Sequence, residues 1–301
     1  MGMETTNNNT FTERLNPLND FLFFKVMGEK GNEVQLLGFL NAVLGRTGKK
    51  SIESVEILEN QTFVKDIING KSCILDVLAV LTDGTKVNIE IQLSNQGNME
   101  RRSLYYWSKI YSESLDRGND YRELPNVIAI NIIDFNFLPS ENVHTCFNLR
   151  ESVNPSIILS PALEIHFISM VKWRKQAEKD IVNNSLHRWL TWFDEDSPPE
   201  LVEEVVGMDS AIKAANERQA YVSQGEEARR TYWSRRKAEL DRISGLNYAK
   251  DEGRQEGREE GQEAATLEIA RNALAEGATP EFVQKITGLD LETIKQLAGS
   301  N

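Results

Sequence analysis

The first half of the chain alternates between helical and strand-like patterns of apolar residues. Apolar positions recur with a helical period between Asn32 and Gly45, and again in the amphipathic segment 99–115. Shorter runs that predict strands lie at 52–58, 72–81, 86–92, 145–149 and 162–167. The run 126–135 is apolar on both faces, as in a strand buried inside a sheet. The order of these elements predicts an α/β fold in which helices cover a sheet.

After residue 170 the sequence becomes helical and more charged. Segments 174–194 and 199–215 have helical periodicity and are separated by a Pro-Pro pair. We therefore expect four parts: a disordered N-terminus (1–15), an α/β domain (16–170), a helical segment packed on or extending it (171–223), and a charged helical tail (224–301).

The composition is typical of a soluble globular protein, with 301 residues of which 40% are hydrophobic and 27% are charged. The polar start is unlike a signal peptide, and no uncharged apolar run is long enough to span a bilayer, so we expect no membrane partner. The formal net charge of −12 excludes nucleic-acid binding by bulk attraction. A DNA-binding protein of this charge needs a local basic strip or bridging cations.

The cysteines and histidines give no sign of a zinc site. Cys73 and Cys146 lie far apart in apolar, strand-like segments, and both are expected to be small buried residues in a reducing compartment. The three histidines, His144, His166 and His187, lack HxH, HExxH or CxxC neighbours, so zinc is not expected.

Two carboxylates interrupt apolar strands between residues 72 and 92. Asp76 lies within the run ILDVLAVL, and Glu90 lies between two isoleucines. A carboxylate buried without a partner costs several kcal/mol, so the pair requires a shared cation or a basic partner. The basic partners that the sequence offers are Lys65, Lys71 and Lys86.

The turn between the two strands decides whether these carboxylates meet. Thr82-Asp83-Gly84 is suited to a three-residue hairpin loop in which Gly84 takes the left-handed conformation of a bulge. That loop places Asp76 opposite Glu90, with Gln92 on the same face because side chains alternate along a strand. A two-residue loop would instead place Asp76 opposite Ile91.

Two neighbouring carboxylates favour a hard divalent cation, Mg²⁺ or, as a substitute, Mn²⁺. Such an ion lowers the pKa of bound water and stabilises charge on a phosphoryl group. Gln92 could position water or a phosphate oxygen, but it cannot act as a cation.

Taken together, the motifs resemble the Rpn family of recombination-promoting nucleases, also described as PD-(D/E)XK nuclease family transposases. The matching phrases are LNPLNDFLFFK (15–25), LNAVLG (40–45), ILDV (74–77), NIEIQ (88–92), LYYWSKIY (104–111) and TGLDLETI (287–294). The resemblance covers most of residues 15–300. It implies a restriction-endonuclease-like mixed sheet flanked by helices, followed by an α-helical C-terminal region, and a bacterial, cytoplasmic protein.

The resemblance also implies roles for individual residues. Asp76 and Glu90 correspond to the metal-binding carboxylates, and Gln92 stands where many relatives have the catalytic lysine. This departure removes a positive charge, which Lys25 or Arg101 could replace.

Two acids near the N-terminus have alternative roles. Glu33 corresponds to a helix acid that completes the metal site, or is only favoured by the helix dipole, whereas Asp20 is better explained as a helix cap.

A candidate DNA-binding surface comprises Lys25 and three residues of the helix after the active strand. Arg101, Tyr105 and Lys109 recur every four residues and share one helix face. A cation, a ring and a second cation make a platform for phosphates and bases. The alternative is a half-buried helix with ordinary polar edges. The basic residues between 229 and 237 favour a solvated helix face over a DNA-binding strip.

The tail carries small residues at every fourth position from Ala249 to Ala265. This pattern favours a close helix–helix contact, so we expect a homo-oligomer formed through 249–265 and the C-terminal helices; the alternative is a flexible linker. The charged flanks exclude membrane burial. The last helix pair, 280–287 and 291–297, resembles a small helix-turn-helix, but its few lysines favour packing or oligomerisation over DNA binding.

The sequence thus favours a Mg²⁺-dependent endonuclease that hydrolyses phosphodiester bonds in double-stranded DNA. By resemblance, it is linked to recombination, mobile elements or defence. Two alternatives remain: a catalytically inactive nuclease fold that binds DNA or protein, and an RNA-cleaving nuclease with the same metal site.

Overall fold

The computed structural model describes residues 14–58, 76–116 and 118–299. The chain folds into two compact units, one ending at Arg236 and one beginning at Lys237. The predicted disordered N-terminus falls largely on residues 1–13, which lie outside the described residues. Its last residues are ordered, since Leu15 is buried and the Arg14 side chain donates to the carbonyl of Asp194.

The described residues contain ten α-helices and six strands, together with a π-helical segment (Phe24–Gly28) and two 3-10 turns (Gly48–Lys50 and Tyr121–Glu123). The helices are α1 (Asp20–Phe23), α2 (Glu33–Val43), α3 (Met99–Ser112), α4 (Met170–Lys175), α5 (Ser185–Phe193), α6 (Pro199–Met208), α7 (Ser210–Gln224), α8 (Glu226–Ala275), α9 (Pro280–Thr287) and α10 (Leu291–Gly299). The strands are β1 (Val55–Leu58), β2 (Val77–Leu81), β3 (Lys86–Gln92), β4 (Val127–Ile133), β5 (His144–Arg150) and β6 (Ile158–Ser169).

The strands form one mixed sheet in the order β1-β2-β3-β4-β6-β5. The pairs β3–β4 and β4–β6 are parallel, and the other pairs are antiparallel. The predicted α/β sheet flanked by helices is therefore confirmed. β4 lies in the centre and is buried along its whole length, in agreement with its run of apolar residues.

Helices cover both faces of the sheet. On one face, Ile89 and Ile130 contribute to a large core that includes the apolar sides of α1, α2 and α4–α7. On the other face, α3 packs through Met99 and Ile110. The polar positions of β3 project toward α3, because Glu90 and its neighbours alternate with the isoleucines of the large core.

Two predicted helices are interrupted in the structure. The expected helix 174–194 is replaced by α4 and α5, and Asn184 caps the start of α5 by accepting from the N–H of His187. The expected helix 199–215 is divided by Asp209, whose side chain accepts from the first N–H groups of α7. Both interruptions have one cause: Asn and Asp side chains bind backbone N–H groups at a helix start more readily than within a helix.

The close packing of α2 on α7 leads to a first prediction. A Cβ atom added at Gly38 would lie 2.3 Å from Cβ of Ala211. Alanine usually stabilises a helix relative to glycine, but Gly38→Ala should destabilise this unit by about 2 kcal/mol through overpacking. Gly207→Ala in α6 is the matched control, since its Cβ would meet no described atom within 4 Å. Urea unfolding should shift the two midpoints in opposite directions; a shift in the same direction would contradict the packing.

The second unit contains the remainder of α8 with α9 and α10. Its small core includes one buried residue from each helix: Ala270, Val283 and Ile294. Gly288 ends α9 with φ of 75°, and Asp290 accepts from the N–H of Thr293, so both predicted helix boundaries are confirmed.

The small residues that recur in the tail are exposed within α8. Self-association through 249–265 therefore stays a prediction. None of the described helices is both long and apolar enough to cross a membrane.

Candidate active site

The β2–β3 hairpin has the turn that the sequence predicts. Gly84 adopts φ of 82°, and its N–H donates to the carbonyl of Leu81. The strand register pairs Val77 with Ile89. Continued by one residue, this register places Asp76 opposite Glu90, which confirms the predicted arrangement of the two carboxylates.

Both carboxylates are held by the hairpin itself. Oδ2 of Asp76 accepts from the N–H of Ile91 at 2.7 Å. The Glu90 side chain is only 3% exposed, and its Oε1 accepts from Nδ2 of Asn88 at 3.3 Å. Oε2 of Glu90 is buried without a hydrogen bond within the described residues.

The environment of this pair disfavours two negative charges. Burial and, to a smaller extent, the neighbouring Asp76 raise the pKa of Glu90 to about 8, although the charge of Arg102 lowers it. Burial likewise raises the pKa of Asp76 to about 6, although the hydrogen bond from the N–H of Ile91 lowers it. Without a cation, the pair therefore retains a proton at a pH where both groups would ordinarily be ionised.

The basic partner of the pair is Arg102. Its Nη2 lies 3.5 Å from Oε2 of Glu90, and its guanidinium lies over the ring of Tyr106, 5.2 Å from the centroid. Nearby, Oγ of Ser103 donates to Asn131, the β4 neighbour of Glu90, at 2.9 Å. Arg102 thus places a positive charge beside Glu90, whereas Gln92 carries none.

Arg101, which together with Lys25 was a predicted replacement cation, is exposed on α3. Arg102 precedes Tyr106 and the buried Ile110 by four and eight residues, and therefore lies along the side of α3 that faces the sheet. The apolar stripe of this amphipathic helix places Arg102 on the inner side of α3 from sequence alone, but only the docking of α3 on the sheet brings it to Glu90.

A second acid and a second arginine act on Asp76. The charge of Asp20 raises the pKa of Asp76, and the charge of Arg235 lowers it. Nη1 of Arg235 lies 3.1 Å from Oδ2 of Asp20. The expectation that Asp20 is the helix cap is wrong in detail: Asn19 is the N-cap of α1, and Asp20 occupies its first turn. No local pattern could have identified Arg235, which is far from Asp76 in sequence.

Three other predicted site residues, Glu33, Lys25 and Gln92, each bind a residue near to them in sequence. Glu33 accepts from the N–H of Gly31 at the start of α2, at 2.9 Å. Lys25 pairs with Glu29. Nε2 of the buried Gln92 donates to the carbonyl of Ser94 at 3.0 Å.

The predicted DNA-contacting face of α3 is accessible in part. Arg101 and Tyr105 are exposed, whereas Lys109 pairs with Glu113. Of the lysines considered as partners of the carboxylates, Lys65 and Lys71 lie outside the described residues. The acids that act on Lys86 are Glu113 and Asp116. Burial lowers the pKa of Lys86, and the charges of these two acids raise it in part.

The donor set fits a hard divalent cation. It combines two converging carboxylates with raised pKa values and a buried oxygen of Glu90 that lacks a hydrogen bond within the described residues. Oxygen ligands of this kind bind Mg²⁺ and Mn²⁺. A bound cation would also offset the burial that raises the pKa of both carboxyl groups and the charge of Asp76 that adds to this shift at Glu90.

Comparison with protein-family models agrees with this geometry. The model of the PD-(D/E)XK nuclease family transposases matches residues 17–249, which include the whole sheet and both carboxylates. The chain belongs to this family. In a PD-(D/E)XK nuclease, paired strand carboxylates followed by a helix are the expected framework, so the resemblance stated from sequence is confirmed.

The C-terminal part of this PD-(D/E)XK family member has a match of its own. Residues 263–299 match the C-terminal HTH domain of the Rpn/YhgA-like nuclease family, a segment that contains α9 and α10. Comparisons with curated proteins and with solved structures gave no match. From the sequence, the few lysines of α9 and α10 favoured packing or oligomerisation over DNA binding. The match to an HTH domain instead favours DNA contact by this helix pair.

Proposed function

We propose that this PD-(D/E)XK family member is a Mg²⁺-dependent endonuclease that hydrolyses phosphodiester bonds in double-stranded DNA, with Mn²⁺ as a possible substitute. The observation that carries the proposal is the buried carboxylate of Glu90. It lies opposite Asp76, beside Arg102, with one oxygen that accepts no hydrogen bond from the described residues. A buried ionisable pair of this kind costs stability, and cation binding accounts for its presence.

Asp76 and Glu90 would hold the cation. When bound, a divalent cation supplies a Lewis acid that lowers the pKa of water and neutralises charge on the phosphoryl group. Asn88 orients Oε1 of Glu90, and the N–H of Ile91 orients Oδ2 of Asp76, so both acids are positioned before substrate binds. This preorganisation reduces the rearrangement needed during the reaction.

Arg102 would bind a non-bridging phosphate oxygen and stabilise the charge that develops there. Its guanidinium has donors left over after its contact with Glu90, because arginine has five N–H groups. In this role Arg102 replaces the lysine that many relatives carry at the position of Gln92. Gln92 itself would support the loop after β3 through its hydrogen bond to Ser94 and orient water or phosphate beside it.

DNA would be held at two surfaces, one in each unit. In the first unit, Arg101 and Tyr105 present a cation and a ring to solvent. In the second unit, the match to an HTH domain supports DNA contact by α9 and α10. Local contacts of this kind are needed because the overall charge of −12 repels DNA.

A cleavage assay tests this function. Purified protein is incubated with supercoiled plasmid, linear duplex, single-stranded DNA and RNA, in Mg²⁺, Mn²⁺ or EDTA. We expect nicking of duplex DNA that requires the cation and falls at least about 100-fold in Asp76→Asn. Glu56→Gln, an exposed carboxylate on β1, is the control and should cleave like wild type.

Each alternative function has its own outcome in this assay. Cleavage of RNA but not DNA would replace the proposed substrate. Binding of DNA without cleavage, by protein that also fails to bind Mg²⁺ in calorimetry, would favour an inactive nuclease fold. Cleavage that survives Asp76→Asn would contradict the proposed site.

A further inference from the structure

A second group of metal-ligating side chains lies at the far edge of the sheet, on the edge strand β5 and its neighbour β6. Cys146 pairs with His166 in the strand register, and Asn148 pairs with Glu164. The three ligand atoms of Cys146, Glu164 and His166 lie within 4.8 Å of one another. Cys146 is exposed, so the expectation that it is a buried hydrophobic residue is wrong. The reason is its position on an edge strand, where one side of the sheet remains open.

The distances within this group are close to those of a tetrahedral site. Sγ of Cys146 lies 3.8 Å from Nε2 of His166. Zinc bonds of about 2.3 Å to sulfur and about 2.0 Å to nitrogen place those two atoms roughly 3.5 Å apart at a tetrahedral angle. Oε1 of Glu164 lies 2.7 Å from the same nitrogen, within hydrogen-bonding range. The Glu164 side chain is 31% exposed, and a bound ion would replace its hydrogen bond to His166.

A fourth residue orients the central ligand. Nε2 of His144 lies 2.8 Å from Nδ1 of His166, and the two rings stack with their centroids 5.0 Å apart. A hydrogen bond at Nδ1 leaves Nε2 of His166 directed toward Cys146 and Glu164. Metal-binding histidines typically have such a partner on the nitrogen away from the metal.

We propose that Cys146, Glu164 and His166 bind one Zn²⁺ ion, with His144 as the positioning residue for His166. Thiolate, imidazole and carboxylate together favour zinc over Mg²⁺, which selects oxygen ligands. Three protein ligands leave one coordination position, on the exposed side of Cys146, for water. The ion would link β5 to β6 and so restrain the edge strand of the sheet.

This site is separate from the Asp76–Glu90 pair. Glu90 pairs with Asn131, and Asn131 with Phe167, so those side chains share a face. His166 is the preceding residue and projects to the opposite face. β5 is also three strands from β3, or about 14 Å at the usual strand spacing. The zinc proposal is therefore independent of the proposed nuclease function.

Titration of the reduced, full-length protein with CoCl₂ and ZnCl₂ tests the proposal. Co²⁺ reports a cysteine ligand through a thiolate charge-transfer band in the near ultraviolet, and calorimetry gives the stoichiometry and affinity for Zn²⁺. We expect one Zn²⁺ per chain in Asp76→Asn, which lacks a ligand of the other proposed metal site, and loss of the Co²⁺ band in Cys146→Ala. Glu164→Gln should weaken Zn²⁺ binding at least tenfold, and His144→Gln should weaken it about 10–100-fold.

Two variants serve as controls. Cys73→Ser removes the other thiol, and Asp76→Asn removes a ligand of the other proposed metal site; both should retain the Co²⁺ band and the Zn²⁺ affinity. Cys146 is exposed, so its replacement leaves the core intact, and circular dichroism checks this. Failure of Asp76→Asn to bind one Zn²⁺ per chain, or a Co²⁺ band unchanged by Cys146→Ala, would overturn the proposal.

Discussion

Glu90→Gln is expected to stabilise the metal-free protein at alkaline pH while it abolishes cleavage. In wild type, burial and the neighbouring Asp76 raise the pKa of Glu90 from its ordinary value of 4.5 to about 8. The unfolded chain releases this proton near pH 4.5, whereas the folded chain retains it until about pH 8. Between these values the unfolded state binds fewer protons, so the free energy of unfolding of wild type falls as pH rises.

Glutamine does not ionise, so the free energy of unfolding of the variant does not fall with pH in this way. The variant and wild type should therefore be about equally stable below pH 4.5, and the difference should grow up to about pH 8 and then level off. One pKa unit corresponds to about 1.4 kcal/mol, so the limit is roughly 5 kcal/mol, and the gain is less once the unpaired Arg102 is taken into account. Since 1 kcal/mol shifts Tm by about 2–4 °C in a unit of this size, a rise of about 5 °C is expected at pH 9.

Thermal unfolding in EDTA across pH 4 to 9 measures this effect. Glu56→Gln is the matched control, because it makes the same chemical change at an exposed position of β1. Saturating Mg²⁺ should raise the Tm of wild type and of the control but not of Glu90→Gln, since only the first two retain the cation site. A Glu90→Gln variant that is less stable than wild type at pH 9 in EDTA would contradict the assignment of a strained, buried carboxylate.

Arg102→Ala is expected to lower kcat about 100-fold and to raise the affinity for Mg²⁺. The guanidinium lies 3.5 Å from the oxygen of Glu90 that the cation would use, so it competes with the cation in the free protein. In the reaction, the same group would stabilise charge on the phosphate. Loss of one preorganised donor to a developing charge typically costs about 100- to 1,000-fold in rate.

The neighbouring Arg101 provides the contrast. It is exposed, so Arg101→Ala should raise KM and reduce the salt dependence of DNA binding by about one ion while kcat changes little. Steady-state cleavage and Mg²⁺ calorimetry on both variants measure the difference. If Arg102→Ala kept the wild-type kcat, or if both variants changed KM alone, Arg102 would have no role in the chemical step.

The sequence alone determined the hairpin that carries the two carboxylates. Gly84 permits a three-residue turn, and strand alternation then places Asp76 opposite Glu90 and on the face of Gln92. These are local effects of backbone conformation over a few residues, so they can be deduced without knowledge of the rest of the chain. For the same reason the boundaries of β3 and α9 were predicted correctly.

Only the tertiary structure decided which charges surround that pair. Arg102 faces Glu90, and Arg101 does not, because burial of the Ile110 side of α3 sets the rotation of that helix. Asp20 and Arg235 act on Asp76 although they are distant from it in sequence. Such contacts depend on how helices dock on the sheet, which no local pattern specifies.

Local sequence patterns likewise did not show that Cys146, Glu164 and His166 lie together. The sequence contains no closely spaced metal motif there, and its separated residues indicated no zinc site. Strand pairing brings them together, because β6 lies between β4 and the edge strand β5 and aligns Cys146 with His166. Local conformation is encoded by neighbouring residues, whereas strand order depends on the free energy of the whole fold and determines which distant side chains meet.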